Sequence, residues 1–386
     1  MRPFTRLASA AIVVVAVVGT LAAPALAESD GGHGNHDFDH RHGGDHVVFV
    51  QTDAPAGNQV VAYDRASDGT LTFATAYATG GNGGVLAGSV VDHLASQGSL
   101  VYDARHALLF AVNAGSNTVS VFSVRGDRLD LQQVISSGGQ FPVSVAVHGG
   151  LVYVLNARAG GSVQGYVIAF DHLFRLFGSR RPLGLDASAT PEFVNTPGQV
   201  AFSPDGAQLI VTTKANGNAI DVFHVGFFGS LSAKPVVNTE PGTVPFAITF
   251  DPAGNLVIAE AGTNALATFS LHADGTITPL ASVGTGQSAT CWVATVNGQF
   301  YVSNAASASV SRYQSGSNGA LTLLDTTSTH AGTVDAAASA DGHTLYVQTG
   351  AHGVVDEFHI NSDGSLAAIG SVTVTNAVGG EGIVAI

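Results

Sequence analysis

The sequence predicts an all-β protein, a seven-bladed β-propeller of four-stranded antiparallel blades. Three observations carry this. An apolar β-run ending in a small polar or acidic residue, followed by a Gly/Asn-rich loop, recurs seven times. It reads VFVQT to Thr52, LFAVN to Asn113, VYVLN to Asn156, LIVTT to Thr213, LVIAE to Glu260, FYVSN to Asn304 and LYVQT to Thr349. The intervals are 61, 43, 57, 47, 44 and 45 residues, a period that suits blades of several strands. Two sets of Gly-containing turns punctuate each unit, and the runs alternate with period two, which excludes a helical solenoid.

Taken in chain order, the first segment resembles a secretion leader. Arg2 and Arg6 precede an apolar stretch from Leu7 to Leu21, and Ala25-Leu26-Ala27 is a cleavage box. Cleavage after Ala27 is expected, which gives a secreted, periplasmic or extracellular protein. A membrane anchor is the alternative, but the stretch is short for a span of about 20 residues. Residues 28–46 are polar and Gly-rich and carry His33, His36, His40, His42 and His46. Too little apolar surface is present there to order the segment. It reads as a solvated linker or as a weak metal trap, since no spacing matches a closed ligand set. The propeller itself is expected over residues 47–386.

Within the propeller, Gly149-Gly150, Asp205-Gly206, Ala253-Gly254, Asn297-Gly298 and Asp341-Gly342 are expected to join first to second strands. Asp68-Gly69, Gly126-Asp127, Asp274-Gly275, Asn318-Gly319 and Asp363-Gly364 are expected to join third to fourth strands. Such pairs suit type I′ hairpins, where both central residues need positive φ. One unit reads in full as VAFS from Val200, QLIVTT from Gln208, AIDVFHV from Ala219 and the edge strand SAKPVVN from Ser232. The first unit lacks an innermost strand, and GIVAI (Gly382 to Ile386) is expected to supply it and close the ring. The two long intervals hold insertions around Gly83 to Ser96 and Leu173 to Glu192, placed on loops where function concentrates.

Bulk composition limits the partners. The chain of 386 residues has 14 Lys and Arg against 28 Asp and Glu, and losing Arg2 and Arg6 takes the formal charge from −14 to −16. Nucleic acid and, after leader cleavage, membranes are therefore not expected as partners. Cys291 is the single cysteine, so no internal disulfide forms. A monomer without a cofactor is expected.

In a propeller the second-to-third loops and the blade-to-blade loops share the face around the axial channel. Arg158, Lys214 and Glu260 come from consecutive blades at near-equivalent positions, so they are expected as neighbours on the rim. Two cations beside a carboxylate could hold an anionic group and activate water. Ordinary rim charges are the simpler account. Asn113, Asn156 and Asn304 could form a sugar-binding ring, but an Asn ending a strand also bonds its own turn and tolerates left-handed φ. Gln97, Gln199, Trp292, Asp335 and Glu381 lie on blade-to-blade loops of the same face. Trp292 could stack on a ligand or bury against a neighbouring blade. Arg125-Gly126-Asp127 matches an adhesion tripeptide but sits in an expected hairpin turn.

The phrases FSPDGAQLIV from Phe202, SQGSL from Ser96, LLFAVNAGSNTVSVF from Leu108 and SDGSL from Ser362 resemble the seven-bladed lactonase-like propellers. These include bacterial 6-phosphogluconolactonases and fungal carboxymuconate-lactonising enzymes, and the likeness spans residues 46–386. It implies a hydrolase of a sugar or organic-acid lactone, which the leader would make a secreted one. Glu260 or Asp335 would activate water, and Arg158 and Lys214 would hold the carbonyl oxygen or an acidic substituent. Active members carry a His before the SPDG strand and an Asp-Leu-Gly-x-Asp run after the next. Here Pro197-Gly198-Gln199 and Thr213-Lys214-Ala215-Asn216 stand there. The alternative is a non-catalytic extracytoplasmic propeller that binds a protein or glycan through the same face.

Overall fold

The computed structural model describes residues 46–386. The leader, and the linker with His33, His36, His40 and His42, lie outside the described residues. Seven antiparallel sheets follow one another along the chain, numbered here as blades 1 to 7. Blade 4 shows the pattern, with Val200–Phe202 innermost, then Gln208–Thr212, Ala219–His224 and Val236–Thr239 at the edge. The edge strand starts later than the sequence suggests because Pro235 has no N–H to donate to a ladder.

Second strands such as Val47–Gln51, Leu108–Asn113 and Thr344–Thr349 are buried at every position. Neighbouring blades cover both their faces, which is why they read as unbroken apolar runs. Outer strands such as Leu321–Ser328 alternate between covered and exposed residues, as one solvated face requires.

Blade 1 is completed by Ile383–Ala385, which pairs with Val47–Gln51 in the register Val48↔Ala385, Phe49↔Val384 and Val50↔Ile383. Gln51 N donates to Gly382 O at 2.8 Å, and Ile386 N to Val47 O at 2.9 Å. The ring is thus closed by the segment that the sequence expectation named.

The turns fall where expected, but most are not type I′. Only Asn297-Gly298 and Asn318-Gly319 have positive φ at both residues. At Asp68, Asp205, Asp274, Asp341 and Asp363 the carboxylate instead accepts the N–H two residues on, and only the following Gly is left-handed. Asp supports these turns through its side chain, which removes the need for two left-handed residues.

Blades are stapled at their outer ends. Tyr301 Oη donates to Gly364 O at 2.7 Å and Tyr346 Oη to Gly69 O at 2.7 Å, each reaching a hairpin turn of the next blade. Tyr153 Oη does the same to Gly229 O at 2.5 Å. A buried tyrosine hydroxyl needs a partner, and here the partner lies across the blade boundary.

Candidate functional site

Two connections cover the channel face. The first runs from Ala78 at the end of blade 1 to Leu100 at the start of blade 2. Leu86 and Leu94 on it are fully buried. His93 N donates to Gly379 O at 2.8 Å, Ser96 Oγ to Val143 O at 2.9 Å, and Gln97 N to Gly198 O at 3.2 Å. A Cβ on Gly350 of blade 7 would lie 1.7 Å from Val91 O, so glycine is required there. The connection therefore reaches across to blades 3, 4 and 7. The second connection joins blades 3 and 4 and contains the short turn of helix Glu192–Val194.

Lys214 fastens both connections. It follows the recurring phrase of blade 4, is left-handed (φ 47°) and leaves the strand direction. Its Nζ donates to Ala95 O of the first connection and to Phe193 O of the second, both at 2.6 Å. The ammonium also lies 5.4 Å from the centre of the Phe246 ring. Burial lowers its pKa to about 7, against the pull of Asp92, which favours the charged form.

Four carboxyl groups are buried around Lys214 and the axis: Asp53, Asp92, Asp335 and Glu381. Asp92 accepts from Leu94 N at 2.8 Å and Ser96 N at 2.9 Å. Asp53 accepts from Glu381 N at 2.8 Å. Glu381 Oε1 accepts from Gly98 N at 3.0 Å, and its Oε2 meets no fixed donor. Asp335 accepts from Ala336 N at 2.9 Å, and its charge and that of Glu381 act on each other. Burial pushes Asp53 up to about 8, Asp335 to about 7 and Asp92 to about 6. It holds Glu381 well above the usual range, where the charges of Asp335, Asp92 and Asp53 add to the effect. The group is therefore partly protonated at neutral pH. Among the described residues no set of His, Cys, Asp and Glu is arranged to hold a metal ion.

The rim trio expected from the sequence does not assemble. Arg158 pairs with Glu192 through Nε at 2.7 Å and stacks 4.3 Å from the centre of the Phe141 ring. Glu260 accepts from Thr263 Oγ1 at 2.9 Å and from Ser282 Oγ at 3.3 Å, the latter on the outer strand of its own blade. Burial raises its pKa. No hydrogen bond or ion pair among the described residues joins any two of Arg158, Lys214 and Glu260. Blade equivalence fixes their backbone positions, but period two and the turn at Lys214 send the side chains apart.

The remaining candidates serve the architecture. Asn113 donates to Ser120 Oγ at 2.8 Å, Asn156 to Ser137 O at 3.2 Å, and Asn304 to Ser311 Oγ at 3.0 Å, all fully buried. The left-handed residues of those loops lie further on, at Asn117, Ala159 and Ala308. Gln97 mimics a strand edge, giving Nε2 to Val293 O at 2.8 Å and taking Val293 N at 3.0 Å. Gln199 Oε1 accepts from Ile248 N at 2.6 Å. Trp292 packs edge-on to Phe246 at 5.0 Å and donates to Ser96 O at 2.6 Å. Burial pushes the Cys291 thiol up to about 12. His46 Nδ1 lies 3.3 Å from Arg65 Nη1.

Asp53 and Asp92 were not among the candidates read from the sequence. A signal existed for Asp53. The residue after each recurring phrase is Asp53, Ala114, Ala157, Lys214, Ala261, Ala305 and Gly350. Only blades 1 and 4 break the small-residue rule, with opposite charges. Asp92, from the connection, interacts electrostatically with both. It lies in a segment without periodicity, so nothing in the sequence marked it.

No model of a known protein family matches the chain, and no curated protein does. Solved structures do. A candidate 6-phosphogluconolactonase from Bacteroides uniformis superposes with a TM-score of 0.68 at 17% identity, over 86% of this chain and 98% of that one. A periplasmic gluconolactonase from Pseudomonas aeruginosa gives 0.66 at 16%, over 88% and 98%. Virginiamycin B lyase from Staphylococcus aureus gives 0.54 at 14%, over 76% and 89%. The chain has the fold of the lactonase-like propellers. At these identities the likeness concerns the fold. The features of this propeller that bear on a site are the two connections and the buried acid cluster.

Proposed function

We propose that this propeller hydrolyses a lactone at the axis of the channel face. The Asp335–Glu381 carboxyl pair carries the reading. Two carboxyls sharing one proton provide a base and an acid at the same pH. The ionised member takes a proton from water as the water oxygen bonds to the lactone carbonyl carbon. The protonated member then gives its proton to the ring oxygen as the carbon–oxygen bond breaks. Lys214, which is coupled to Asp92 of the same cluster, would stabilise the developing oxyanion. Substrate entry requires the connection from Ala78 to Leu100 to withdraw, which frees Lys214 from Ala95. A sugar or organic-acid lactone suits the fold, and an extracytoplasmic location suits the leader-like N-terminus.

One observation favours a second reading. Trp292 and Lys214 spend their polar groups on the two connections, and Gln97 of the first connection spends its own on blade 6, as a permanently closed, non-catalytic binding platform would require. Hydrolysis assays on residues 28–386 separate the two. Acid release from sugar, muconate and aliphatic lactones is followed with the wild type, Asp335→Asn and Glu381→Gln. Turnover lost by about a hundredfold or more in both variants supports the acid–base pair. A folded wild type that hydrolyses none of them supports the platform.

A further inference from the structure

The lower outer edge of blades 3 and 4 carries the largest exposed aromatic side chains of the described residues. Phe170 is 92% exposed, Phe177 94%, and Phe227 and Phe228 92% each. Phe170 sits at the hairpin tip between Ser162–Ala169 and His172–Arg175, and Phe177 just beyond the latter strand. Phe227 and Phe228 sit in the loop that follows Ala219–His224. Arg181 ties the two regions together. Its guanidinium donates to Gly178 O at 2.7 Å, beside Phe177, and to Leu231 O and Ser232 O beyond the Phe227–Phe228 loop, at 2.5 and 2.7 Å.

The turn geometry does not call for phenylalanine. Blade 6 makes the same turn with Ser317-Asn318-Gly319. Phe228 has φ 60° and ψ 21°, and Asn318 has φ 60° and ψ 29°. Gly229 and Gly319 have φ of 77° and 74°. Asn adopts left-handed backbone readily, whereas a bulky residue there is strained. Phe170 is left-handed too, at φ 51°. Two phenylalanines thus stand at hairpin tips in an unfavourable backbone, fully in water. Such outliers are kept for what they contact.

The local charge is opposite to that of the whole. Residues 168–181 and 222–236 hold four of the chain's 14 Lys and Arg and one of its 28 Asp and Glu. Arg175, Arg180 and Lys234 are exposed. Arg175 donates to Gln164 Oε1, and Arg180 and Arg181 to carbonyls, so no described carboxylate neutralises them. At physiological salt, charge beyond about 8 Å is largely screened, so this patch and not the acidic remainder governs what docks there.

We propose that this edge docks on an anionic phospholipid surface. The phenylalanines enter the headgroup–acyl boundary, and the arginines and Lys234 meet lipid phosphates. Side chains projecting singly from tips suit a fluid interface. No helix of the described residues is long and apolar enough to cross a membrane, and the contact proposed is interfacial. The expectation against membranes rested on net charge, which averages this patch away.

The test is vesicle co-sedimentation of residues 28–386, with phosphatidylcholine vesicles and with vesicles containing phosphatidylglycerol. The decisive variant is Phe227→Ser with Phe228→Asn, which installs the blade 6 turn and should not lower the melting temperature. Binding to the anionic vesicles that weakens in high salt and falls about tenfold or more in this variant is the expected result. Arg175→Gln with Lys234→Gln should weaken it severalfold. No binding of the wild type, or equal binding by the phenylalanine variant, overturns the proposal. Self-association of the wild type without vesicle binding, abolished by the same variant, would assign the patch to a protein contact and equally overturn it.

Discussion

At the scale of single residues, Lys214 concentrates more consequences than any other. Its ammonium is the shared donor to Ala95 and Phe193 and the counter-charge to Asp92. Lys214→Met should destabilise the fold by about 2–4 kcal/mol, because it orphans two carbonyls and leaves a buried carboxyl without its cation. Denaturant midpoints measure this, and a loss below about 1 kcal/mol would show that Lys214 does not fasten the connections. The sequence made Lys214 visible as a rare lysine near the channel face, but not its direction. The left-handed turn that aims it away from Glu260 is a tertiary outcome. The tyrosine staples were legible in part. VYV, FYV and LYV place Tyr153, Tyr301 and Tyr346 at one repeat position, yet their carbonyl partners belong to the next blade, which no local pattern specifies.

At the scale of elements, the blades were legible because each strand is short, apolar and bounded by Gly turns. The closing strand was legible by subtraction, since the first unit lacked a partner. Removing residues 382–386 should cost blade 1 its innermost strand and leave Val47–Gln51 unpaired on one side. We expect the melting temperature to fall by about 5 °C or more; a variant melting like the wild type would show that closure contributes little. The two connections were legible only as excess length. Their path over the channel follows from contacts with distant blades, such as Val91 against Gly350 and Gln97 against Val293. Acid residues gathered by that path, Asp92 above all, could not be placed from spacing.

At the scale of the molecule, the buried acids make stability depend on pH in an uncommon direction. Asp53, Asp92, Asp335 and Glu381 all have raised proton affinity when folded. The native state therefore holds protons that the unfolded chain releases, and stability falls as pH rises from about 4 to about 8. Lys214, lowered to about 7, opposes this at higher pH, where the unfolded chain binds the extra proton. Surface carboxylates held low by hydrogen bonds, such as Asp205 and Asp363, withdraw stability once pH drops below the usual carboxylate range. The melting temperature should be higher near pH 5 than near pH 8, and Asp53→Asn should flatten the slope. A flat profile for the wild type between those values would contradict the assignment. Ring closure has a further consequence, one of timing. Val47–Gln51 is made before Ile383–Ala385 with the other six blades between them, so the nascent chain carries the segment VVFVQ unpaired on one side until the closing strand is made. That segment has no charge, no proline and strong β-propensity, the makings of intermolecular pairing. Completion of blade 1 is then a late, long-range event, and the protection of one edge strand from other chains until that moment becomes a requirement of the cell that makes it.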